Sequence, residues 1–311
     1  NQINTVTLLL MVGSFVCWQR GRRVAGGFWL GLAILIKLTP ALLLVWFALK
    51  REFRTVAAAI LTVALAGPAA DLVALGPERT LESYRTWAHK AVTTGSHRGL
   101  ILSQCETDWR NQGLGVVLCR WLHPTSYTTH FDNDPRLRTR DEPQTFNLAT
   151  WPLPAVAGLA TLIAIGTVIG LVWLARRPAS VLTAWQLRFE WALFVLAMLW
   201  LMPVMRRYHM IWAMPAVALL CAGIHYCGRT SRWSRWALAA LAVTVAAQGC
   251  LLWRGVEARG VILASVAALG VPLIAMLRRQ SRCADLAGPF FAPPRAVPTR
   301  PERSERAWSY A

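Results

Sequence analysis

The sequence predicts an all-α fold, a polytopic transmembrane helical bundle of about seven to nine membrane segments that include a broken or re-entrant pair and one long outer loop. Of its 311 residues 55 % are hydrophobic and only 15 % are charged. The apolar residues come in long runs rather than at amphipathic spacing. Several runs reach the roughly 20 residues that a hydrocarbon core of ~30 Å requires. The formal charge of +18 sits in short arginine clusters beside those runs. Positive-inside logic places basic residues there, whereas a nucleic-acid binder would gather them on one face, so no nucleic-acid partner is expected.

Thr5 to Trp18 is apolar and stops at Gln19-Arg20-Gly21-Arg22-Arg23, so the first helix runs from outside to inside. Val24 to Leu49 has basic groups at both flanks and is interrupted by Lys37-Leu38-Thr39-Pro40. Keeping both flanks cytoplasmic favours two half-helices that bend at Lys37–Pro40 over one complete span. Proline lacks the backbone donor of a helix interior, and a break at membrane depth is tolerated only where it lines protein or a cavity. Lys37 then faces an interior site; the plainer alternative is a lysine snorkelling along its own helix. Val56 to Leu75, with Gly67-Pro68 as a kink and a lone Asp71 near its far end, carries the chain outward.

Residues 76–150 form the one large extramembrane region. They hold eight of the fifteen acidic residues and nine basic ones, a near-neutral balance that contrasts with the basic short loops and places this region in the periplasm or an equivalent outer compartment. Within it, Leu114 to Leu122 is apolar enough for a short helix on the membrane surface or docked on the bundle. Leu153 to Ala175 returns inward to Arg176-Arg177-Pro178, Trp185 to Val204 leads out, and Met210 to Tyr226 leads back. Trp236 to Trp253 goes out, and Val261 to Leu277 comes in and closes at Arg278-Arg279-Gln280-Ser281-Arg282. The organisation is therefore 1–75 (membrane helices broken at 37–40), 76–150 (outer loop), 151–280 (membrane helices) and 281–311 (a Pro-, Arg-, Ser- and Glu-rich cytoplasmic tail expected to be disordered). Trp18, Trp151, Trp173, Trp185, Trp212, Trp236 and Trp253 sit near run ends, as an interfacial belt requires. The chain begins at Asn1 with neither methionine nor signal peptide, and is read as a fragment that has lost upstream helices.

Seven cysteines include no Cys-x-x-Cys pair. Cys105 and Cys119 share the outer loop and can form a disulfide if that side is oxidising; otherwise they are two thiols. Metal-ligand spacing, a Walker loop, a nucleophile elbow and a dinucleotide glycine pattern are absent, so neither a metal nor a cofactor is expected. Chemistry is sought instead at Leu201–Leu220. There Arg206, Arg207, Tyr208 and His209 stand between two apolar runs, in a setting where ionisable groups are costly without a water-filled cavity or a partner. A short positively charged turn is the plain alternative. Every other basic cluster falls on the cytoplasmic side.

The ordered series Gln2-Ile3-Asn4, Gly21-Arg22 with Ala25-Gly26, Gly31-Leu32-Ala33, Lys37 with Pro40, Gly76-Pro77, Asn111-Gln112 and Pro203 with His209 and Pro215 resembles the polyprenol-phosphate-mannose-dependent α-mannosyltransferases, GT-C-fold membrane enzymes. The resemblance spans roughly residues 1 to 220. It implies inverting transfer of a sugar, mannose in that family, from a polyprenyl-phosphate donor to a lipid or glycan acceptor on the outer membrane face. It implies a multi-pass protein of the bacterial inner membrane, with membrane lipids as its surroundings. Gln2 and Asn4 match the family's Gly-Gln-x-Asn with Asn1 in place of the glycine, and Lys37 matches the lysine before its proline. Asn111-Gln112 matches an outer-loop Asn-Gln word, with Gly113 where serine is usual. His209 matches the second histidine of Ser-Pro-x-Ser-Trp-x-His-His, from which the chain departs at Met202, Met205, Arg206 and Tyr208. The family's catalytic acidic residue would precede Asn1, so the fragment alone is expected to be inactive.

The roles expected on this footing are His209 as catalytic residue, Arg206, Arg207 and Lys37 on the donor phosphate, and Gln2, Asn4, Asn111, Gln112 and Tyr208 on substrate; the plain alternatives are loop capping for Asn111 and Gln112 and a structural histidine bonding a backbone carbonyl for His209. A leaving phosphate gains charge as the glycosidic bond breaks, and fixed cations, guanidinium forks above all, stabilise that charge. The loop acids Glu78, Glu82, Glu106 and Asp108 are read as solvated charge. A lipid-linked-sugar transporter or flippase, and a non-catalytic membrane scaffold, are the other two readings of the same cluster.

Overall fold

The computed structural model describes residues 2–94, 110–125, 145–228, 230–249 and 259–278. Among them helices are the only extended regular elements: α1 (Gln2–Gln19), α2 (Arg23–Ile36), α3 (Leu42–Leu49), α4 (Phe53–Leu75), α5 (Pro77–Thr94), α6 (Leu114–Leu122), α7 (Leu153–Leu174), α8 (Ala184–Leu201), α9 (Met214–Cys227), α10 (Arg232–Gly249) and α11 (Val261–Arg278). Single 3₁₀ stretches at Thr39–Ala41 and Arg207–Ala213 lead into α3 and α9. Six of the described helical stretches are long and apolar enough to cross a membrane. The tail from 281 onward, Cys105, Glu106, Asp108 and Trp253 lie outside the described residues.

The segment interrupted at Lys37–Pro40 is a helical hairpin. α2 rises to Ile36, Lys37 leaves the helix in an extended conformation (φ −154°, ψ 130°), Pro40 stands in the following 3₁₀ turn, and α3 descends. Arg23 at the base of α2 pairs with Glu52 just beyond α3 at 2.9 Å, so both feet of the hairpin are at the same end of the bundle. α2 lies very close to α4: a Cβ added at Gly31 would stand 2.8 Å from the Ala59 carbonyl and 2.5 Å from Thr62 Cβ. Gly27 and Gly31, four apart on one face, permit this approach, which is how small residues allow helices to pack in a membrane.

α8 is the centre of the bundle. Every residue from Phe189 to Leu199 is buried, so the helix is enclosed on all sides, and Thr183 and Gln186 close its first turn with a capping box. α4 and α7 bury few residues and are peripheral. Phe15, Trp18, Trp46 and Trp191 pack together between α1, α3 and α8, with ring centroids 4.9 Å apart for Phe15–Trp191 and 5.3 Å for Trp18–Trp46.

Several local readings need correction. Trp18 and Trp212 are buried inside the bundle, not at its rim; Trp151, Trp173 and Trp236 are exposed as a belt residue would be. Pro68 lies inside α4, which stays helical on both sides of it, as the reading of a proline within one span expects. The start of the outer region is helical rather than loop: α5 is polar and exposed, and its Tyr84 hydroxyl donates to Asp71 at 2.7 Å, which pushes the phenol's pKa upward because the carboxylate favours the protonated form.

Lys50 reads in sequence as one more basic flank, yet it is 2 % exposed. Its Nζ donates to the carbonyls of Ala175 and Arg177 at 2.8 Å each and pairs with the carboxylate of Glu190, which is 3 % exposed and also accepts from Trp46 Nε1. The ammonium thus spends its three donors on three oxygens and ties the foot of α3 to the α7–α8 connection. Removing one partner would strand a buried charge, at a cost of about 3–5 kcal/mol, whereas replacing both by apolar groups of similar volume is close to neutral. Glu190→Ala is therefore expected to lower the thermal midpoint of the detergent-solubilised protein sharply, and Lys50→Met with Glu190→Leu to restore most of it. Equal midpoints for the single and the double variant would refute the assignment.

Candidate functional site

The opposite end of the hairpin brings three distant parts of the chain together. Asn4 lies in the first turn of α1, Lys37 at the hairpin tip and His209 in the 3₁₀ stretch after α8. Lys37 Nζ donates to Asn4 Oδ1 at 2.9 Å and lies 2.6 Å from His209 Nε2, a residue 172 positions away. Trp212 completes the cluster: its Nε1 donates to the Asn4 carbonyl at 2.9 Å, and its ring lies under Lys37 Nζ at 5.1 Å. Asn4, His209 and Trp212 are buried while Lys37 is half-buried, so the cluster is enclosed on the bundle side and open only at Lys37.

Donor counting limits how these groups are protonated. The backbone N–H of Arg206 donates to His209 Nδ1 at 2.9 Å. A neutral ring whose Nδ1 accepts must carry its hydrogen on Nε2, and Nε2–H facing Lys37 needs an amine lone pair. With Lys37 as an ammonium, the ring must instead offer Nε2 as acceptor, and the Arg206 bond is lost. The face of the Trp212 ring favours the ammonium. The pair therefore has two arrangements separated by one proton.

The His209 turn is held in place by the residues the sequence singled out in the outer region. Asn111 Oδ1 accepts from the backbone N–H of Gly113 at 3.0 Å, an Asx turn, and from that of Met205 at 3.1 Å. Gln112 N–H donates to the Met205 carbonyl at 2.6 Å, and the buried Arg120 on α6 donates to the Asn111 carbonyl at 2.6 Å. Asn111–Gly113 therefore docks on the extended stretch 202–206 that leads into the 3₁₀ turn. A Cβ at Gly113 would collide with the Pro203 carbonyl, which accounts for glycine at this position.

The expected site residues divide accordingly. Asn4, Lys37 and His209 meet directly. Arg206 is half-buried and Arg207 exposed beside them, and the Tyr208 ring, 38 % exposed, stands 4.5 Å from that of His209. Asn111 and Gln112 hold backbone. Gln2 is exposed, and two positions from Asn4 along a helix it projects to the other side. Glu78 and Glu82 are exposed on α5. Sequence reasoning missed Trp212, taken for a belt residue, although its spacing of three from His209 puts both on one face of a 3₁₀ turn. It also missed Arg120. Cys119 on α6 is disulfide-bonded; Cys105, the partner considered from sequence, is outside the described residues.

Residues 1–132 match the sequence model of Glycosyltransferase family 87, a family of membrane glycosyltransferases. The match covers Asn4, Lys37, Asn111 and Gln112 and ends before Arg206 and His209. No curated protein and no solved structure matches the chain. The similarity supports a membrane glycosyltransferase in general terms, without specifying donor, sugar or acceptor.

The docking of Asn111 on residues 202–206 sets a test. Asn111→Leu leaves the N–H groups of Met205 and Gly113 without an acceptor, at about 1–3 kcal/mol each. Hydrogen exchange at Met205 through His209 is expected to accelerate at least tenfold in this variant while α1 and α2 keep their rates. Unchanged exchange at Met205 would show that the contact does not hold the turn.

Proposed function

We propose that the cluster of Asn4, Lys37 and His209, flanked by Arg206 and Arg207, is the donor-phosphate end of a membrane glycosyltransferase that moves a hexose from a polyprenyl-phosphate to a lipid or glycan acceptor with inversion. Mannose is the sugar that the resemblance suggests. The observation carrying this reading is the 2.6 Å approach of Lys37 Nζ to His209 Nε2 at the half-open end of a membrane bundle. Such a contact between two basic groups is worth maintaining where a negative charge or a proton is to be received.

The chemistry follows from the proton count. The acceptor hydroxyl loses a proton as its oxygen bonds to the anomeric carbon from the face opposite the phosphate, the bond from that carbon to the phosphate oxygen breaks, and the lipid phosphate departs with its electron pair. In its neutral arrangement the Lys37–His209 pair has room for one proton, and on taking it becomes a cation beside the leaving phosphate. Stabilisation then appears as the charge develops and is weaker before it, the condition for accelerating the chemical step rather than only binding substrate. Arg206 and Arg207 supply guanidinium forks for the phosphate oxygens, and Tyr208, next to His209, borders the acceptor side. Asn111 and Gln112 act by fixing the His209 turn.

The outer face is favoured by the disulfide at Cys119, since such bonds persist in oxidising compartments and α6 holds the site through Arg120 and Asn111. On this reading the protein is a bacterial inner-membrane enzyme with the cluster towards the periplasm.

Membranes carrying the protein are expected to consume radiolabelled polyprenyl-phosphate mannose and release polyprenyl phosphate. Lys37→Met, His209→Ala and Arg206→Ala with Arg207→Ala are each expected to slow turnover by about 10²–10³ without loss of folded protein, the usual consequence of removing one transition-state donor. Sugar moved across the bilayer without release of polyprenyl phosphate would replace the transferase with a transporter. Full activity in all three variants would leave the cluster without a catalytic role.

A further inference from the structure

At the Lys50 end, remote from the cluster, a cavity of about 230 Å³ opens between the end of α7, the start of α8 and the end of α11. Three guanidinium-bearing residues from two separate helix ends line it: Arg176 and Arg177 just after α7, and Arg278 in the last turn of α11. Glu190 lies at its floor, and its carboxylate is engaged by Lys50 and Trp46. Among the described residues no carboxylate pairs with Arg176, Arg177 or Arg278. Three arginines therefore line a hollow whose one carboxylate is already paired with Lys50, an excess of three positive charges.

Part of this has a simpler origin. Arginine at helix C-termini is favoured by the helix dipole, and basic residues cluster beside apolar runs in most membrane proteins. Neither effect requires a cavity between the arginines. Like charges that converge on a hollow repel one another and are stabilised by an anion that fits it. A water occupies ≈ 30 Å³ of liquid, so this cavity has room for a phosphate group and several waters. Guanidinium forks match phosphate oxygens, and Arg176 is additionally stacked over Trp173 at 5.2 Å. The remaining wall includes Leu182 and Leu277, and Trp173, 54 % exposed, lies where an interfacial tryptophan would.

We propose that this cavity binds a phosphate headgroup, that of an anionic membrane lipid whose acyl chains lie along α7 and α11. Nothing in the transfer reaction requires it, and it is separated from the Lys37 cluster by most of the length of α1. Asn4 stands at one end of that helix and Trp18, packed on Trp46, at the other; fourteen residues at 1.5 Å each make roughly 20 Å.

The test is native mass spectrometry of the full chain released from detergent, with phosphatidylglycerol, phosphatidylcholine or inorganic phosphate added. Phosphatidylglycerol is expected to bind at least tenfold more tightly than phosphatidylcholine, and millimolar inorganic phosphate to displace it. Arg176→Gln with Arg177→Gln and Arg278→Gln should lower that affinity at least tenfold. Arg20→Gln with Arg22→Gln and Arg54→Gln, which removes equal charge from exposed positions at the same end, should leave it unchanged. Binding of inorganic phosphate with no preference between the lipids would assign the cavity to a free phosphate and overturn its lipid source. Equal losses in the two triple variants, or neither phosphate nor lipid preferred by the wild-type chain, would overturn the site itself. The wild-type competition decides the matter even if a variant fails to fold.

Discussion

Polar groups inside this bundle must find their partners in protein, and the hairpin from α2 to α3 shows how strongly that constraint acts. It carries a lysine at its tip and another at its foot, in a chain with only three lysines. Both are satisfied by residues far away in sequence. Lys50 reaches the α7–α8 connection and Glu190; Lys37 reaches α1 and the turn before α9. Two packed helices without these lysines could slide or tilt against α8. With them, the hairpin is fixed at both ends to elements that themselves cross the bundle.

The two lysines nevertheless have different characters, and burial separates them. Lys50 is enclosed, with all three donors directed at oxygens, so it has no free valence and nothing can approach it. Its energetics are those of a structural ion pair, favourable mainly because breaking it is worse. Lys37 is half-buried and spends one contact on a nitrogen that is not obliged to accept from it. A group left with that freedom and only half-buried can change partner or proton state. The same residue type in the same hairpin thus serves as a fastening at one end and as a chemical group at the other.

The distinction also marks what the sequence could tell. A proline three residues after a lysine in an apolar run, and a four-residue polar word between two such runs, are local anomalies and can be seen without a fold. Their meeting cannot, since nothing near Lys37 encodes a partner 172 positions on. Lys50 and Glu190 were invisible for the same reason: each has ordinary neighbours, and only their separate burial makes the pair exceptional. Trp212 was misplaced because a tryptophan at the end of an apolar run satisfies two rules equally, interface and core, and position along the chain does not separate them. The polar helix α5 escaped notice because its residues resemble loop composition, although an exposed helix draws on the same amino acids. Asn111 and Gln112 were found by their motif and assigned to substrate with loop capping as the alternative, whereas in the fold the Asn111 side chain and the Gln112 backbone N–H serve the backbone of Met205.

That last difference bears on how the site is kept rigid. The stretch from Met202 to Met205 leaves α8 with no helical hydrogen bonds of its own, so its N–H and C=O groups must be met from outside. Asn111 and Gln112 meet them, and Arg120 in turn fixes Asn111. His209 then receives its orientation from the Arg206 N–H, one step further along the same chain of contacts. A histidine in a 3₁₀ turn beside a lysine would by itself be free to swing by a rotamer, and a misplacement of about 1 Å is enough to cost a reaction two orders of magnitude. The extramembrane segment therefore supplies no group that must touch substrate in order to matter: by satisfying the backbone of one extended stretch it sets the position of the imidazole, and with it the side of Lys37 that a proton or a phosphate can reach.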